Sequence, residues 1–396
     1  MPADEFRAKA LAWLQEHATP FTAEAADRFA PTLDESKAFQ KGLAEAGLAG
    51  ITWPKEYGGQ GLGEDELIAF NEVSADFLLP TGPFVIGLGM PAPTILELGT
   101  EEQKKRHIPK MLTGEEIWCQ LFSEPNGGSD VASLQTTATR TESGDWLING
   151  QKVWTSGAQF SDFGAILART DPTVPRHAGI TMFIVDMHHP GVTVRPLVVA
   201  TGDAPFNEVY FDDVEVPADA VIGEVNAGWA AAVVMLRNER VTIGARGRAR
   251  NNPLSFDTLR EVATEIGTNE DTGVRRRLAN VYARETAAAA FGRVLHEGAL
   301  AGEPIGARGS VGKLAGAELG LWASDAAEEI LGQDIALMTG KAAKVAKTIL
   351  AAPGSATAGG SNEIQRNIIA ERVLGLPKDP GAADRKTPFN QLKLSK

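Results

Sequence analysis

The chain has 396 residues, of which 43% are hydrophobic and 22% are charged, and its formal net charge at pH 7 is −13. This composition is typical of a soluble globular protein, and the length predicts two or three domains. The acidic balance argues against nucleic-acid binding, because such a chain repels a polyphosphate. The single cysteine, Cys119, excludes an internal disulfide framework and indicates a reducing compartment.

The first 18 residues predict an amphipathic helix and not a signal peptide, because they include acidic residues and no long apolar run. One side of this helix is apolar: Phe6, Ala10, Trp13 and Leu14. No segment approaches the roughly 20 apolar residues of a membrane span. Six scattered histidines and one cysteine give no metal-ligand spacing. We therefore expect a cytoplasmic protein without membrane insertion and without a metal site.

Three regions of the chain differ in residue pattern. Residues 1–115 show helical spacing interrupted by glycine- and proline-rich loops, and residues 116–222 show short β-branched or alternating runs. Residues 223–396 return to long alanine- and leucine-rich helical stretches. We predict a mainly α fold with a central β domain: an N-terminal all-helical domain, a middle antiparallel β-barrel or sandwich, and a C-terminal helical bundle, with these bounds.

Five segments of the middle region predict β structure. Four are short runs bounded by Gly, Pro or Asp: 163–170, 179–186, 192–199 and 208–216. The fifth, DWLINGQKVWTSG (145–157), contains Asn149-Gly150 between two strand-like runs. Because Asn-Gly tolerates positive φ, it favours a two-residue type I′ turn. We predict a hairpin there, with Trp146 and Trp154 on neighbouring strands.

Helical spacing in the last region predicts five long helices: 229–247, 254–265, 274–300, 310–331 and 341–352. Five arginines cluster in and just beyond the first of them: Arg237, Arg240, Arg246, Arg248 and Arg250. In so acidic a chain, this cluster indicates a solvated face or an anion-binding helix end in preference to a nucleic-acid patch.

Two polar segments of the middle region suit a flat cofactor. In CQLFSEPNGGSD (119–130) an apolar strand leads into a turn rich in hydroxyls and exposed N–H groups, although an ordinary strand-ending turn explains that segment equally well. VWTSG (153–157) adds an aromatic face and two hydroxyls. Together the segments indicate a planar ligand with a polar edge, such as a flavin. No G-x-G-x-x-G opens a helix after a strand, so a Rossmann site is not indicated.

The predicted helix 229–247 carries an acidic residue in apolar surroundings. The neighbours of Glu239 at helical spacing are Met235, Leu236 and Ile243. A carboxylate buried among such groups is a better proton acceptor, because its ionised form has lost hydration. The alternative is an ion pair with Arg237 or Arg246, since an unpaired buried charge is costly.

Residues 358–367, AGGSNEIQRN, place small residues before a polar cluster. Such a loop lets a flat ligand approach the backbone, although Gly, Ser and Asn are also ordinary turn residues.

Together these motifs resemble those of the acyl-CoA dehydrogenase family. SEPNGGSD (123–130) resembles its (T/S)EPxxGSD loop, and VWTSG resembles its WxT/S flavin segment. WPKEYGGQGLG (53–63) resembles its N-terminal-domain loop, and GGSNEIQRNIIAERVLGLP (359–377) its C-terminal signature. The resemblance extends in order over about residues 50–376. It implies a C-terminal four-helix bundle, FAD as the cofactor, and α,β-dehydrogenation of an acyl-CoA thioester.

The resemblance also implies which residues form the site. FAD contacts are implied for Leu121, Phe122, Ser123, Gly128, Ser129, Trp154, Thr155, Ser156, Gly360, Ser361 and Asn362. Substrate contacts are implied for Ser129 and Arg240.

The catalytic base is expected at an unusual position. Gly359 stands where most members of the family carry the catalytic glutamate. Members of the isovaleryl type place the base on the first long helix of the C-terminal domain, directly before an arginine, and Glu239-Arg240 matches that pair. We predict that Glu239 removes the α-proton while the β-hydrogen leaves as hydride to flavin N5. The Gly359 N–H is expected to donate to the thioester oxygen as negative charge develops there.

Two departures from the family concern subunit contacts. Many members carry an R-x-x-F-G arginine and a double glycine that serve the FAD of a neighbouring subunit, whereas this chain has ATEIGTNED (263–271) and EEILGQDIA (328–336). Similar losses occur in members that act in steroid side-chain breakdown, some of which are α2β2 heterotetramers. We expect a homotetramer or an α2β2 heterotetramer with a paralogue, and electron-transferring flavoprotein as the electron acceptor.

Two other functions remain open at this point. Gly359 also suits a non-catalytic structural subunit, and the same fold serves acyl-CoA oxidases and flavin monooxygenases. The acyl group is not set by the sequence, although glycine at position 359 leaves room for a branched or ring-bearing chain.

Overall fold

The computed structural model describes residues 2–246, 252–301, 303, 305–336, 340–378 and 386–392, without the side chains of 23, 240–246, 296, 299–300 and 340–341. The described residues divide into two compact units. Unit 1 contains the chain up to residue 198, residues 204–238 and the C-terminal segment 386–392. Unit 2 contains residues 199–203 and 239–378.

Unit 1 begins with short helices, as predicted for residues 1–115. They are α1 (Ala3–His17), α2 (Ala23–Arg28), α3 (Leu33–Glu45), α4 (Glu64–Ser74), α5 (Val85–Gly89), α6 (Pro91–Leu98) and α7 (Glu101–Thr113). Strands β1 (Thr19–Pro20) and β2 (Phe77–Leu78) form a small antiparallel pair. The predicted apolar side of α1 is confirmed, because Phe6, Ala10 and Leu14 are buried. Helices α3 and α7 each begin with a threonine capping box, which satisfies backbone N–H groups that have no partner within the helix.

An eight-stranded sheet follows. Its strands are β3 (Trp118–Leu121), β4 (Thr137–Arg140), β5 (Trp146–Ser156), β6 (Phe163–Arg169), β7 (Ile180–Asp186), β8 (Val192–Leu197), β9 (Phe206–Val216) and β10 (Val221–Ile222). The order is β10-β7-β6-β4-β5-β9-β8, with β3 beside β6. The four runs predicted as strands correspond to β6 to β9. Most pairings are antiparallel as predicted, but β3 and β4 each pair with β6 in parallel, which the alternation pattern does not reveal.

The hairpin predicted at Asn149-Gly150 is wrong. Strand β5 runs continuously from Trp146 to Ser156, so both tryptophans lie on the same strand. The Asn149 side chain is bound across the sheet, where its Nδ2 donates to Asp213 Oδ1 (2.9 Å) and its Oδ1 accepts from Asp213 N–H (2.9 Å). A Cβ at Gly150 would lie 2.5 Å from Thr136 Oγ1, so glycine is needed there for close packing.

The helices and the sheet of unit 1 share one apolar core. It extends from Phe6 of α1 through Trp118 of β3 to Met182 of β7 and Met235. Met235 belongs to the next helix, α8 (Gly228–Arg246), whose first residue packs tightly on β7. A Cβ at Gly228 would lie 2.6 Å from the backbone of Thr181, so only glycine allows this approach. The start of α8 is therefore fixed against the sheet.

Unit 2 is helical, as the alanine- and leucine-rich stretches predict. It continues α8 and contains α9 (Phe256–Glu265), α10 (Thr272–Leu300), α11 (Gly309–Leu331), α12 (Gly340–Thr357) and α13 (Asn362–Ile368). Residues such as Leu259, Leu278 and Ile330 form its core. In the described part of the chain, no helix combines the length and apolar character needed to cross a membrane. The predicted domain bounds at residues 115 and 222 stay a prediction.

The C-terminal segment returns to unit 1. The N–H groups of Phe389 and Asn390 donate to the carbonyls of Val174 and Pro172, both at 2.9 Å. The Phe389 ring lies 3.5 Å from the guanidinium carbon of buried Arg169. Arg169 itself donates to the carbonyls of Leu134 and Ala132, which follow the loop that contains Ser129. The C-terminal segment therefore packs against an arginine that holds this part of the chain.

Candidate active site

The loop after β3 is held from several directions. The carbonyl of Ser123 accepts from Val153 N–H of β5 at 2.9 Å. Glu124 and Gly127 exchange two backbone hydrogen bonds of 3.0 Å. Beyond them, Gly128 and Ser129 are exposed, and a Cβ at Gly128 would meet no atom within 4 Å. The loop therefore has a fixed base and an open tip, which suits a ligand that approaches the backbone.

The end of β5 is irregular at the predicted flavin segment. The register with β9 shifts between Lys152 and Thr155. Trp154 has a φ of +61°, and its side chain is 55% exposed. Such a conformation costs a non-glycine residue about 1 kcal/mol or more and persists where the surrounding structure imposes it. The bulge turns a large aromatic ring outward beside the Ser123 loop.

Thr155 lies on the opposite side of this bulge and is 1% exposed. Its carbonyl accepts from Asn207 Nδ2 at 3.0 Å. Its hydroxyl oxygen is buried and has no hydrogen-bond partner among the described residues. Buried hydroxyls are normally satisfied, so this one is suited to a ligand with polar atoms.

A buried ion pair connects the two segments. Lys152 is 0% exposed, and its Nζ donates to Glu124 Oε1 (2.8 Å) and to the carbonyl of Phe122 (3.2 Å). The other oxygen of Glu124 accepts from Gln135 N–H at 2.6 Å. Burial by itself would raise the pKa of Glu124, but Lys152 and the donated hydrogen bonds outweigh it and lower that pKa. Burial lowers the pKa of Lys152, and Glu124 opposes that shift. Sequence reasoning missed Lys152. The signal in the sequence is a charged residue directly before VWTSG, within a predicted strand.

Leu121 and Phe122 are buried, so their side chains belong to the core. Their contacts with FAD stay a prediction. Ser123 and Ser156 are half-buried, and Ser129 is exposed.

Glu239 lies eleven residues beyond the anchored start of α8, and it is 8% exposed. Met235, one turn earlier, is fully buried. Arg237, one of the two arginines considered as the partner of Glu239, forms an ion pair with Glu97 (Nη2 to Oε2, 2.5 Å). The side chains of Arg240, Ile243 and Arg246 lie outside the described residues, so the predicted substrate contact of Arg240 stays a prediction.

The loop before α13 has a left-handed backbone at two positions, which glycine adopts without strain. Gly359 and Gly360 have φ values of +66° and +88°. Gln365 is buried and ties the loop to the helix, because its Nε2 donates to the carbonyls of Gly359 (2.8 Å) and Gly360 (3.2 Å). Ser361 caps α13 by accepting from Ile364 N–H (3.4 Å). Sequence reasoning did not single out Gln365. The signal in the sequence is an amide side chain a few residues after two consecutive glycines.

Asn362 is also buried, and its Oδ1 accepts from Lys313 Nζ of α11 at 3.4 Å. Burial lowers the pKa of Lys313.

Of the predicted site residues, those from 121 to 156 belong to unit 1, whereas Glu239 and residues 359–362 belong to unit 2. Within the ranges that the structure covers, no three His, Cys, Asp or Glu side chains lie close enough to hold a metal ion.

Comparison with known proteins covers nearly the whole chain. The profiles of the acyl-CoA dehydrogenase N-terminal, middle and C-terminal domains match residues 3–115, 119–214 and 226–374. Acyl-CoA dehydrogenase IpdE1 of Mycobacterium tuberculosis is 36% identical over 388 residues, which cover 95% of this chain and 98% of the relative. Acyl-CoA dehydrogenase FadE34 of the same organism is 41% identical over 340 residues, 86% of this chain but 46% of that longer relative.

Two solved structures are also similar. The Tcur3481-Tcur3483 steroid ACAD has a TM-score of 0.75 at 28% identity and covers 96% of this chain and 94% of its own. The ChsE4-ChsE5 complex from Mycobacterium tuberculosis has a TM-score of 0.75 at 30% identity and covers 96% and 99%. These matches confirm the expected helix, sheet and helix order. The open loop, the outward Trp154 ring and the unpartnered Thr155 hydroxyl also fit a planar cofactor. The chain therefore belongs to the acyl-CoA dehydrogenase family, FAD-dependent oxidoreductases that act on the CH–CH group of acyl-CoA thioesters.

Proposed function

We propose that this chain dehydrogenates an acyl-CoA thioester between Cα and Cβ, with Glu239 as the base. The observation that carries the proposal is a buried carboxylate on α8, combined with glycine at position 359. FAD, when bound, supplies the acceptor for the hydride that leaves Cβ. Glu239 takes the proton released when the Cα–H bond breaks, and the product is the α,β-unsaturated thioester.

The remaining residues position and polarise the substrate. The N–H of Gly359 donates to the thioester oxygen, which stabilises negative charge on that oxygen as the α-proton leaves. Gln365 holds the backbone that directly follows this N–H, because its Nε2 donates to the carbonyls of the Gly359–Gly360 and Gly360–Ser361 peptides. The flavin ring is assigned to Phe122, Ser123, Trp154, Thr155 and Ser156. The ribityl chain or the diphosphate of FAD is assigned to Gly360, Ser361 and Asn362.

We further propose a bulky acyl group and a paralogous partner chain. One similar structure is described as a steroid ACAD, and another as a complex of two proteins, ChsE4 and ChsE5. The segments that lack the usual FAD-contacting residues of a neighbouring subunit lie at the end of α9 (263–271) and at the end of α11 (328–336). In this assembly the paralogue supplies those contacts, and electron-transferring flavoprotein accepts the electrons.

Anaerobic titration of the purified chain with CoA thioesters tests the proposal. Short, long, branched and steroid-derived thioesters are added with and without a co-expressed paralogue, and flavin absorbance is followed. We expect bleaching by bulky thioesters. Full FAD occupancy and turnover without a partner would exclude an obligatory paralogue.

A second candidate function is a non-catalytic structural subunit, which glycine at position 359 favours. The same titration separates the two functions. Absence of bleaching with every thioester, with and without the paralogue, would support the structural role and overturn the catalytic one.

A further inference from the structure

Lys152 is a buried charged side chain of the sheet to which the proposed chemistry gives no role. It lies on β5, and its side chain is fully enclosed. An apolar side chain of similar volume would fill the same space without loss of hydration, so packing alone does not require a lysine. The ammonium contacts one carboxylate oxygen, Glu124 Oε1, and one main-chain carbonyl, that of Phe122.

The contact with the Phe122 carbonyl fixes a peptide plane. In a trans peptide the C=O of one residue and the N–H of the next point in opposite directions. Because the Phe122 carbonyl faces Lys152, the N–H of Ser123 is directed away from it. The next carbonyl, that of Ser123, is held by Val153 N–H of the same strand at 2.9 Å. Consecutive residues of β5 thus hold consecutive carbonyls of the loop.

Glu124 holds Lys152 in place for this task. Its carboxylate receives the ammonium and the N–H groups of Gln135 and Thr136 at 2.6 and 3.0 Å. These three donors leave the carboxylate little freedom to turn. The ammonium therefore keeps one direction, toward the Phe122 carbonyl.

The same lysine stands next to the irregular end of β5. Trp154, whose backbone has positive φ, follows two residues later. Lys152 thus contacts the chain directly before Ser123 and directly precedes the bulge that turns Trp154 outward.

We infer that Lys152, held by Glu124, is a positioning residue that fixes the Ser123 loop and the Trp154 bulge in the relative geometry that binds FAD. The inference rests on the proposed assignment of these two segments to the flavin. A lysine that only fills space in the fold would leave FAD affinity unchanged once stability is restored.

Three variants separate positioning from stability. Lys152→Met removes the ammonium but leaves Glu124 buried beside an apolar group, so we expect a lower melting temperature. Adding Glu124→Gln to Lys152→Met removes the unpaired charge, so we expect part of the melting temperature to return. Leu14→Ala opens a cavity in the core at α1, away from β5, and serves as a destabilised control.

The readout is the dissociation constant of FAD, measured by flavin fluorescence, with the paralogue present if the wild type needs it to retain FAD. We expect both Lys152 variants to bind FAD about 10- to 100-fold more weakly, the range for loss of a charged hydrogen bond. Leu14→Ala should bind FAD like the wild type. The inference is overturned if the double variant regains wild-type affinity together with stability, or if Leu14→Ala weakens FAD equally. No acyl-CoA is used, so the result does not depend on Glu239.

Discussion

Two glycines of unit 2 lie six residues apart, and alanine at these two positions should change the free energy of unfolding in opposite directions. Gly360 has a φ of +88°, and an added Cβ would lie 2.7 Å from Gln365 Nε2. Gly354 lies exposed within α12, and an added Cβ there would meet nothing within 4 Å. Alanine is thus strained at one site and favourable at the other.

The magnitude follows from these contacts. A left-handed φ costs alanine about 1–2 kcal/mol. Displacing Gln365 from the carbonyls of Gly359 and Gly360 removes two hydrogen bonds, each of about 1 kcal/mol. Gly360→Ala should therefore destabilise unit 2 by about 3–4 kcal/mol. Gly354→Ala should stabilise it by up to about 1 kcal/mol, the helix propensity difference.

Urea unfolding followed by circular dichroism at helical wavelengths measures both effects. We expect the urea midpoint to fall for Gly360→Ala and to stay or rise for Gly354→Ala. Equal midpoints for the two variants would refute the reasoning that Gln365 and positive φ define this loop.

Three further predictions concern unit 1. Burial raises the pKa of the Cys119 thiol to about 12, so the native protein should not react with Ellman's reagent at pH 8, whereas the protein in urea should react with one equivalent. Phe389→Ala should destabilise unit 1 by about 1–2 kcal/mol in urea unfolding, since it removes a desolvated contact with Arg169, whereas Gln391→Ala, exposed in the same segment, should change little. The folded-state pKa of Glu124 is lowered, so its stabilisation is complete above the unfolded pKa of about 4.3 and is lost as pH falls through the folded value. The variant that lacks both charges of the Glu124–Lys152 pair should lose stability less steeply in acid, and an identical acid slope would contradict this.

The sequence predicted those elements whose pattern is local. Strands β6 and β7 are short apolar runs bounded by turn residues, and the helices of unit 2 follow their apolar spacing closely. The failure at Asn149-Gly150 has a tertiary cause. The dipeptide has the chemistry of a turn, but Asn149 bonds to Asp213, 64 residues away, and Gly150 packs on Thr136. A pairing partner so distant in sequence overrides a local turn preference.

The candidate site divides in the same way. The motifs predicted which loops carry polar groups. The ion pair of Arg237 with Glu97 joins residues 140 positions apart, which residue spacing does not reveal. Buried Lys152 pairs with Glu124, 28 residues earlier, and a register shift follows it in β5. The outward direction of Trp154 follows from that shift, which residue spacing does not encode.

The most direct test of Glu239 as the base is the rate of flavin reduction under anaerobic stopped-flow conditions, with whichever CoA thioester bleaches the wild type. Glu239→Gln is compared with Glu297→Gln, a matched change at an exposed position of α10, after both are shown to retain FAD and to bind the thioester. We expect Glu239→Gln to slow reduction by about 10²-fold or more, because loss of a general base typically costs that much, while Glu297→Gln reduces at the wild-type rate. Reduction by Glu239→Gln at a rate close to that of the wild type would contradict the assignment of Glu239 as the base.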